Sequence, residues 1–376
     1  MIKYIGVNDH DIDLFEGQYV VKNGMSYNSY VIFDEKIAVM DTVDINFKDE
    51  WLNKLDEALE GRLPDYLVVH HMEPDHSASI EAFLNKYPNT TLVTNMKAYK
   101  MVGQFFPNLK VNSFLEVKEN QVLDLGEAHL KFIMAPMVHW PEVMMSYEES
   151  TKSLFSADAF GKFGANDVED EWLDEARRYY IGIVGKYGSF VQKLFAKLGA
   201  LEINNIYSLH GPALTENIPY YLGLYDTWSK YSPETDGVLI AYASIYGNTK
   251  KAAEMLSDKL DGVNHTIIDL AREDIHEAVA QAFRYSKLVI ASPTYNTVLF
   301  PVVNYFIDHL VERGYTKRSV AVIENGTWGP MAKKNVLAKM EGLKDITFLD
   351  TTVTIKSAIN DETVGQIEAL AEELKK

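Results

Sequence analysis

Not one of the 376 residues is a cysteine. Disulfides, iron–sulfur clusters and thiolate zinc sites are therefore excluded from this chain, and any metal it holds must sit on nitrogen and oxygen. Long apolar runs are missing too, and no uninterrupted stretch reaches the length of a membrane span. The opening MIKYIGVNDHDIDLF carries charges where a secretory signal is apolar. A soluble cytoplasmic protein is expected, with no membrane partner. Basic side chains are scarce, 36 against 54 acidic, for a formal net charge of −18. That balance disfavours nucleic acid as a partner, because phosphate binding needs a basic face. Apolar residues make up 47% of the chain and charged residues 24%, enough for sizeable cores. The length suggests two domains.

The two halves have different rhythms. Up to about residue 230, short strands mix with helices: GQYVV, YNSYVIF, KIAVMDT, YLVVHH, TLVTN, HLKFIMAP, SLFSAD and NIYSLHG read as strands. KDEWLNKLDEALEG reads as an amphipathic helix ending on Gly61. Two mixed sheets covered by helices suit this succession. WSKYSPETDG, residues 228–237, reads as a linker between a domain spanning 1–232 and another spanning 236–376. Beyond it, GVLIAYAS, HTIIDL, KLVIASP, SVAVIEN and ITFLDTTVTI alternate with helical stretches. Five strands in this alternation predict βαβ units and a doubly wound parallel sheet.

Several strands of the first half end on ligand-type side chains. HHMEPDHSAS follows the apolar run YLVV and places His71, Glu73, Asp75 and His76 within six residues, with Pro74 stiffening the turn. His139 follows FIMAPMV, Asp158 follows SLFSA, and His210 follows NNIYSL. A lone His or Asp at a strand end is usually structural. Four imidazoles and three carboxylates together suffice for two metal ions sharing a bridging carboxylate. His70 faces away from His71 on an extended strand and is assigned to the core or to a position behind the ligands.

The second half offers a different site. Its first strand runs into SIYGNTKKAAEM, where Ser244, Ile245, Tyr246, Gly247, Asn248 and Thr249 lie between strand and helix. Backbone N–H groups and hydroxyls there suit an anion at a helix N-terminus. ASPTYN leaves the third strand with Pro293, Thr294, Tyr295 and Asn296, and ENGTWGP leaves the fourth with Asn325, Gly326, Thr327 and Trp328. In a flavodoxin-like order these loops meet at one switch point. Tyr295 and Trp328 could flank an isoalloxazine ring, and FMN is the expected ligand.

The HxExDH motif, with the later His139, Asp158 and His210, resembles the metallo-β-lactamase-like domain of flavodiiron proteins. The S-x-Y-G-N-T run is similar to a flavodoxin phosphate loop. The resemblance covers nearly the whole chain. It implies an α+β and α/β architecture: an N-terminal αββα sandwich, then a five-stranded flavodoxin-like domain. Glu73 stands where zinc hydrolases of the superfamily carry His, and carboxylate with imidazole suits redox iron. The family pattern assigns His71, Glu73 and His139 to one iron, Asp75, His76 and His210 to the other, and Asp158 to the bridge. It implies reduction of O2 to water and of NO to N2O by a non-haem diiron centre, with electrons passing through FMN. It also implies a head-to-tail homodimer or dimer of dimers, fed by rubredoxin or a reduced deazaflavin. Tyr27, in SYNSY, is placed either over the site or in the core. The alternatives are a zinc hydrolase fused to a flavodoxin-like binding module, and a non-catalytic electron carrier.

Overall fold

The computed structural model describes Met1–Lys376, which divide into two compact units, Met1–Asp226 and Thr227–Lys376. In the first unit, one sheet runs in the order Ile2–Tyr4, Tyr30–Ile32, Ala38–Met40, Tyr66–Val68, Thr91–Thr94, Phe114–Glu116. Its first two pairings are antiparallel and the other three parallel. The second sheet orders Val122–Asp124, His129–Met134, Met144–Glu148, Ser153–Phe155 and Asn205–Tyr207, with only the last pairing parallel.

The two sheets bury their apolar faces against each other. Tyr30, Met40, Val68 and Val93 from the first meet Leu130, Phe132, Met144 and Phe155 from the second in one core. Helices cover the outside: Trp51, on the Lys48–Leu59 helix, packs at 5.8 Å on Phe83 of the Ile80–Lys86 helix. The predicted helix start holds, and the chain turns off through left-handed Glu60 (φ 51°) and Gly61 (φ 86°). This is the expected αββα sandwich.

In the second unit five parallel strands run in the order His265–Asp269, Thr235–Tyr242, Tyr285–Tyr295, Arg318–Asn325, Ile346–Ile355. Numbered along the unit this is 2-1-3-4-5, the flavodoxin-like order, whose switch point lies between the first and third strands. One side of the sheet packs Ile240, Val289 and Ile323 on Ala252, Leu256, Ile367 and Leu370 from the Asn248–Lys259 and Asp361–Leu374 helices. The expected linker is narrower than its sequence suggests. The Ile218–Ser229 helix runs into it, and the first strand begins at Thr235. Its aromatic content explains why: Trp228 is buried and donates through Nε1 to Glu234 at 2.8 Å. No helix is long and apolar enough to cross a membrane.

Candidate metal centre and flavin cleft

The Tyr66–Val68 strand ends just before His70, and Pro74 opens a short helix, Pro74–Ser77, at its first turn. Proline suits that place because its missing N–H has no intrahelical partner there. His76 N–H and Ser77 N–H bond the Glu73 carbonyl at 3.0 and 2.9 Å, and Thr42 holds the His76 carbonyl from its N–H and its hydroxyl. Glu73, Asp75 and His76 thus leave one tightly pinned turn. His139 arrives from the connection between two strands of the second sheet, Asp158 follows Ser153–Phe155, and His210 follows Asn205–Tyr207. Gly161 permits the close approach of the last two loops: a Cβ there would meet the Asp158 carbonyl at 3.0 Å and the His210 Cβ at 3.3 Å.

All seven predicted side chains converge. In one group, His71 Nε2 and His139 Nε2 each lie 3.1 Å from Glu73 Oε2 and 3.1 Å from Asp158 Oδ2. In the other, His76 Nε2 and His210 Nε2 each lie 3.2 Å from Asp75 Oδ2. Asp158 reaches this second group with its other oxygen, Oδ1, at 3.4 Å from His76 and 3.8 Å from His210. Within each group the ligand atoms lie no more than 4.8 Å apart. One carboxylate therefore faces both groups, one oxygen to each.

Whether metal fits can be read from the hydrogen bonds. His71 Nδ1 is 2.9 Å from the Glu142 carboxylate, and His210 Nδ1 is 2.7 Å from the Ser26 carbonyl. Both partners are acceptors, so each Nδ1 carries the hydrogen and each Nε2 is left with its lone pair. Those lone pairs point at carboxylate oxygens. Both oxygens of Asp75 and of Asp158 are buried without a hydrogen-bond partner. Buried acceptors facing acceptors are costly unless a cation lies between them. Imidazole and carboxylate donors with no thiolate suit iron.

In the metal-free chain, protons must do part of that work. Burial opposes charge on His71, but Asp158, Glu142 and Glu73 outweigh it and raise the ring well above the usual histidine range. His139 likewise goes against its burial to about 9, through Asp158 and Glu73. Burial pushes Asp75 up to about 7. Asp158 is buried as well, yet the positive charge of His71 and its neighbouring rings holds it well below the carboxylate range. Iron must displace the protons on the rings. Iron binding to the apoprotein is therefore expected to release protons and to tighten from about pH 6 to about pH 8. Competition with a chromophoric chelator across that range checks it, and an affinity independent of pH contradicts it.

Aromatic rings wall the centre. Trp140 lies 5.1 Å from the His71 ring, while Phe15 and Tyr179 each lie 5.4 Å from His210. Tyr27 packs beside the Asp75 group. It is buried, its ring sits 6.1 Å from His210 and 6.4 Å from His76, and its hydroxyl donates to Asp9 at 3.2 Å. His70 is turned away, between the Asp41 carboxylate at Nδ1 and Ser146 Oγ, 2.8 Å from Nε2. Glu142, Ser26 and Asp41 are the supports that sequence reasoning misses. A buried acid in the apolar surroundings of HWPEVMM is the one available signal.

The second unit carries a cleft of about 600 Å3 at the carboxyl ends of its strands. Every predicted residue lines it except Gly247, and Thr297, Gly329 and Ser357 join them. Gly247 instead shapes the phosphate-type turn: at φ 91° it caps the twelve-residue Asn248–Lys259 helix, and its N–H donates to Ser244 Oγ at 3.1 Å. The loops after the fourth and fifth strands are tied together, since Ser357 N–H donates to Asn325 Oδ1 and Ser357 Oγ to Thr327. Tyr246 and Trp328 are each 93% exposed, and Tyr295 45%. Large rings so bare beside a cleft are suited to a flat ligand or another protein surface. The volume lies in the range of cofactor sites.

Two family models match the chain. One, described as ODP family beta lactamase, covers residues 25–211, and a flavodoxin domain covers 239–347. The fold of the flavodiiron protein from Giardia intestinalis superposes with a TM-score of 0.93 at 26% identity, over 99% of this chain and 94% of that one. The chain belongs to the flavodiiron proteins. Among relatives of this family, the anaerobic nitric oxide reductase flavorubredoxin of Vibrio vulnificus is 28% identical over 95% of this chain and 74% of its own length. The nitric oxide reductase of Moorella thermoacetica is 29% identical over 91% of this chain and 88% of its own. Rubredoxin oxygen:oxidoreductase of Desulfovibrio gigas shares the flavodiiron fold, with a TM-score of 0.91 at 23% identity over 100% of this chain and 97% of that one.

Proposed function

We propose that this chain is an oxidoreductase that reduces O2 to water and NO to N2O at a diiron centre, drawing its electrons through FMN. Asp158 carries the reading: a buried, otherwise unpartnered carboxylate with one oxygen directed at each of two ligand groups. His71, Glu73 and His139 hold one iron in this proposal, and Asp75, His76 and His210 the other. Residues 1–232 make up the diiron domain and residues 236–376 the FMN domain. When bound, the iron pair and FMN supply electron storage and one-electron transfer.

The protein's own residues do the rest. Glu142 and Ser26 fix the ring tautomers, so that both Nε2 atoms face inward without rearrangement. Trp140, Phe15 and Tyr179 exclude bulk water from a centre meant for small gases. In the other unit, Ser244, Asn248 and Thr249 would hold the FMN phosphate, and Tyr295 and Trp328 line the same cleft and would flank its ring. A zinc hydrolase has no use for that cleft, and a bare electron carrier has none for seven converged ligands.

Two relatives are named for rubredoxin, which supports a rubredoxin-type donor, with reduced deazaflavin as the other candidate. This chain has no cysteine with which to hold a rubredoxin iron itself. Head-to-tail pairing of two copies, or a dimer of such dimers, completes the proposal. The bare Trp328 and Tyr246 beside the cleft support it, and the cytoplasm is its setting. The test is anaerobic reduction followed by steady-state turnover with rubredoxin as donor. Consumption of O2 and of NO is expected, and inertness toward both gases contradicts the proposal.

A further inference from the structure

The two ligand groups are not equivalent, and the difference lies behind the histidines. His210 Nδ1 donates to a neutral carbonyl, that of Ser26, and His76 Nδ1 is buried with no partner. His71 Nδ1 donates instead to Glu142, whose side chain is fully buried. Glu142 Oε1 also accepts the Met72 N–H at 3.0 Å, while Oε2 is buried and makes no hydrogen bond. The Glu142 backbone is fixed as well: its carbonyl accepts from Asn95 Nδ2 at 2.6 Å, and Asn95 caps the Met96–Phe105 helix through Lys97 and Ala98 N–H. No lysine or arginine pairs with this carboxylate. Nearby Lys97 spends its ammonium on the Pro141 carbonyl, and the only ion-pair partner of Glu142 is the His71 ring.

A buried acid with one bare oxygen and no cation is costly if its purpose is only to hold a loop. A glutamine could accept the same two N–H bonds without burying a charge. The negative charge is useful when the ring it touches is bound to a cation, because it draws the Nδ1 hydrogen and makes Nε2 a stronger donor. We infer that Glu142 is a positioning residue that both aims His71 and biases the iron pair. It would favour the ferric state of an iron held by His71, Glu73 and His139, making that position the more reducing of the two. This rests on the functional reading above.

Three variants test it, with FMN content as the check on folding. E142Q keeps an oxygen for both N–H groups but removes the charge. At saturating iron its ferric state is expected to be roughly tenfold less favoured over the ferrous state, read as a rise in midpoint potential. E142D restores the charge and is expected to bring the potential back toward wild type. E142A loses charge and acceptor together and is expected to bind iron about 10–100-fold more weakly. If E142Q matches wild type in both potential and iron affinity, or if E142D stays with E142Q, the inference is overturned. A wild-type chain without redox-active iron would instead overturn the functional reading.

Discussion

Asp158→Ala is expected to bring bound iron from two per chain to one or fewer and to cut gas reduction by at least about 100-fold, while FMN stays in place. The two oxygens of Asp158 face different ligand groups, and its removal leaves His71 and His139 with only Glu73, and His76 and His210 with only Asp75. His139→Ala acts on one group alone. It is expected to empty that position while the Asp75 group keeps its iron, with the same loss of turnover because the pair is broken. FMN should survive both changes, since every residue lining its cleft lies between Ser244 and Ser357. Iron and flavin analysis of the purified variants, beside their turnover, checks this. Full metal and full activity in either variant contradict the ligand assignment.

Gly247→Val is expected to do the reverse: lose FMN, keep both irons, and abolish donor-driven turnover to the same extent. The residue sits at φ 91°, where a β-branched side chain is strained by about 1–3 kcal/mol. A Cβ would find open space there, so the damage comes from the backbone and falls on the turn proposed to hold the phosphate. The discriminating result is a single turnover. Irons reduced directly by a small chemical reductant should still consume O2 or NO once in the flavin-free variant. If the flavin-free protein still accepted electrons from rubredoxin at the wild-type rate, FMN would not be the entry point.

The proposed metal ligands are legible in the sequence for a simple reason. Four of the seven fall in one six-residue loop, and the other three each end an apolar run, so chemistry and punctuation coincide. Their supports are not legible. Glu142 meets His71 across a separation of 71 residues, and the partner of His210 is a backbone carbonyl, which has no sequence signal at all. The same contrast runs through the fold. Long strands such as Ile346–Ile355 stand out, but Ile2–Tyr4 and Phe114–Glu116 are too short to show an alternating pattern. Met144–Glu148 is buried at every position, Ser146 and Glu148 included, so its polar residues do not mark a solvent face. In the flavin cleft the phosphate turn is written in one contiguous run. Ser357 joins only through the geometry of the fifth strand, where it bridges to Asn325 and Thr327.

The most direct measurement is an anaerobic reductive titration of the fully oxidised protein, followed by visible and electron paramagnetic resonance spectra. About four electrons per chain are predicted, two to bleach the flavin and two to take the iron pair from ferric to ferrous. An end point at about two electrons, with the flavin fully reduced and no paramagnetic iron at any stage, would mean a redox-silent metal such as zinc and would contradict the account.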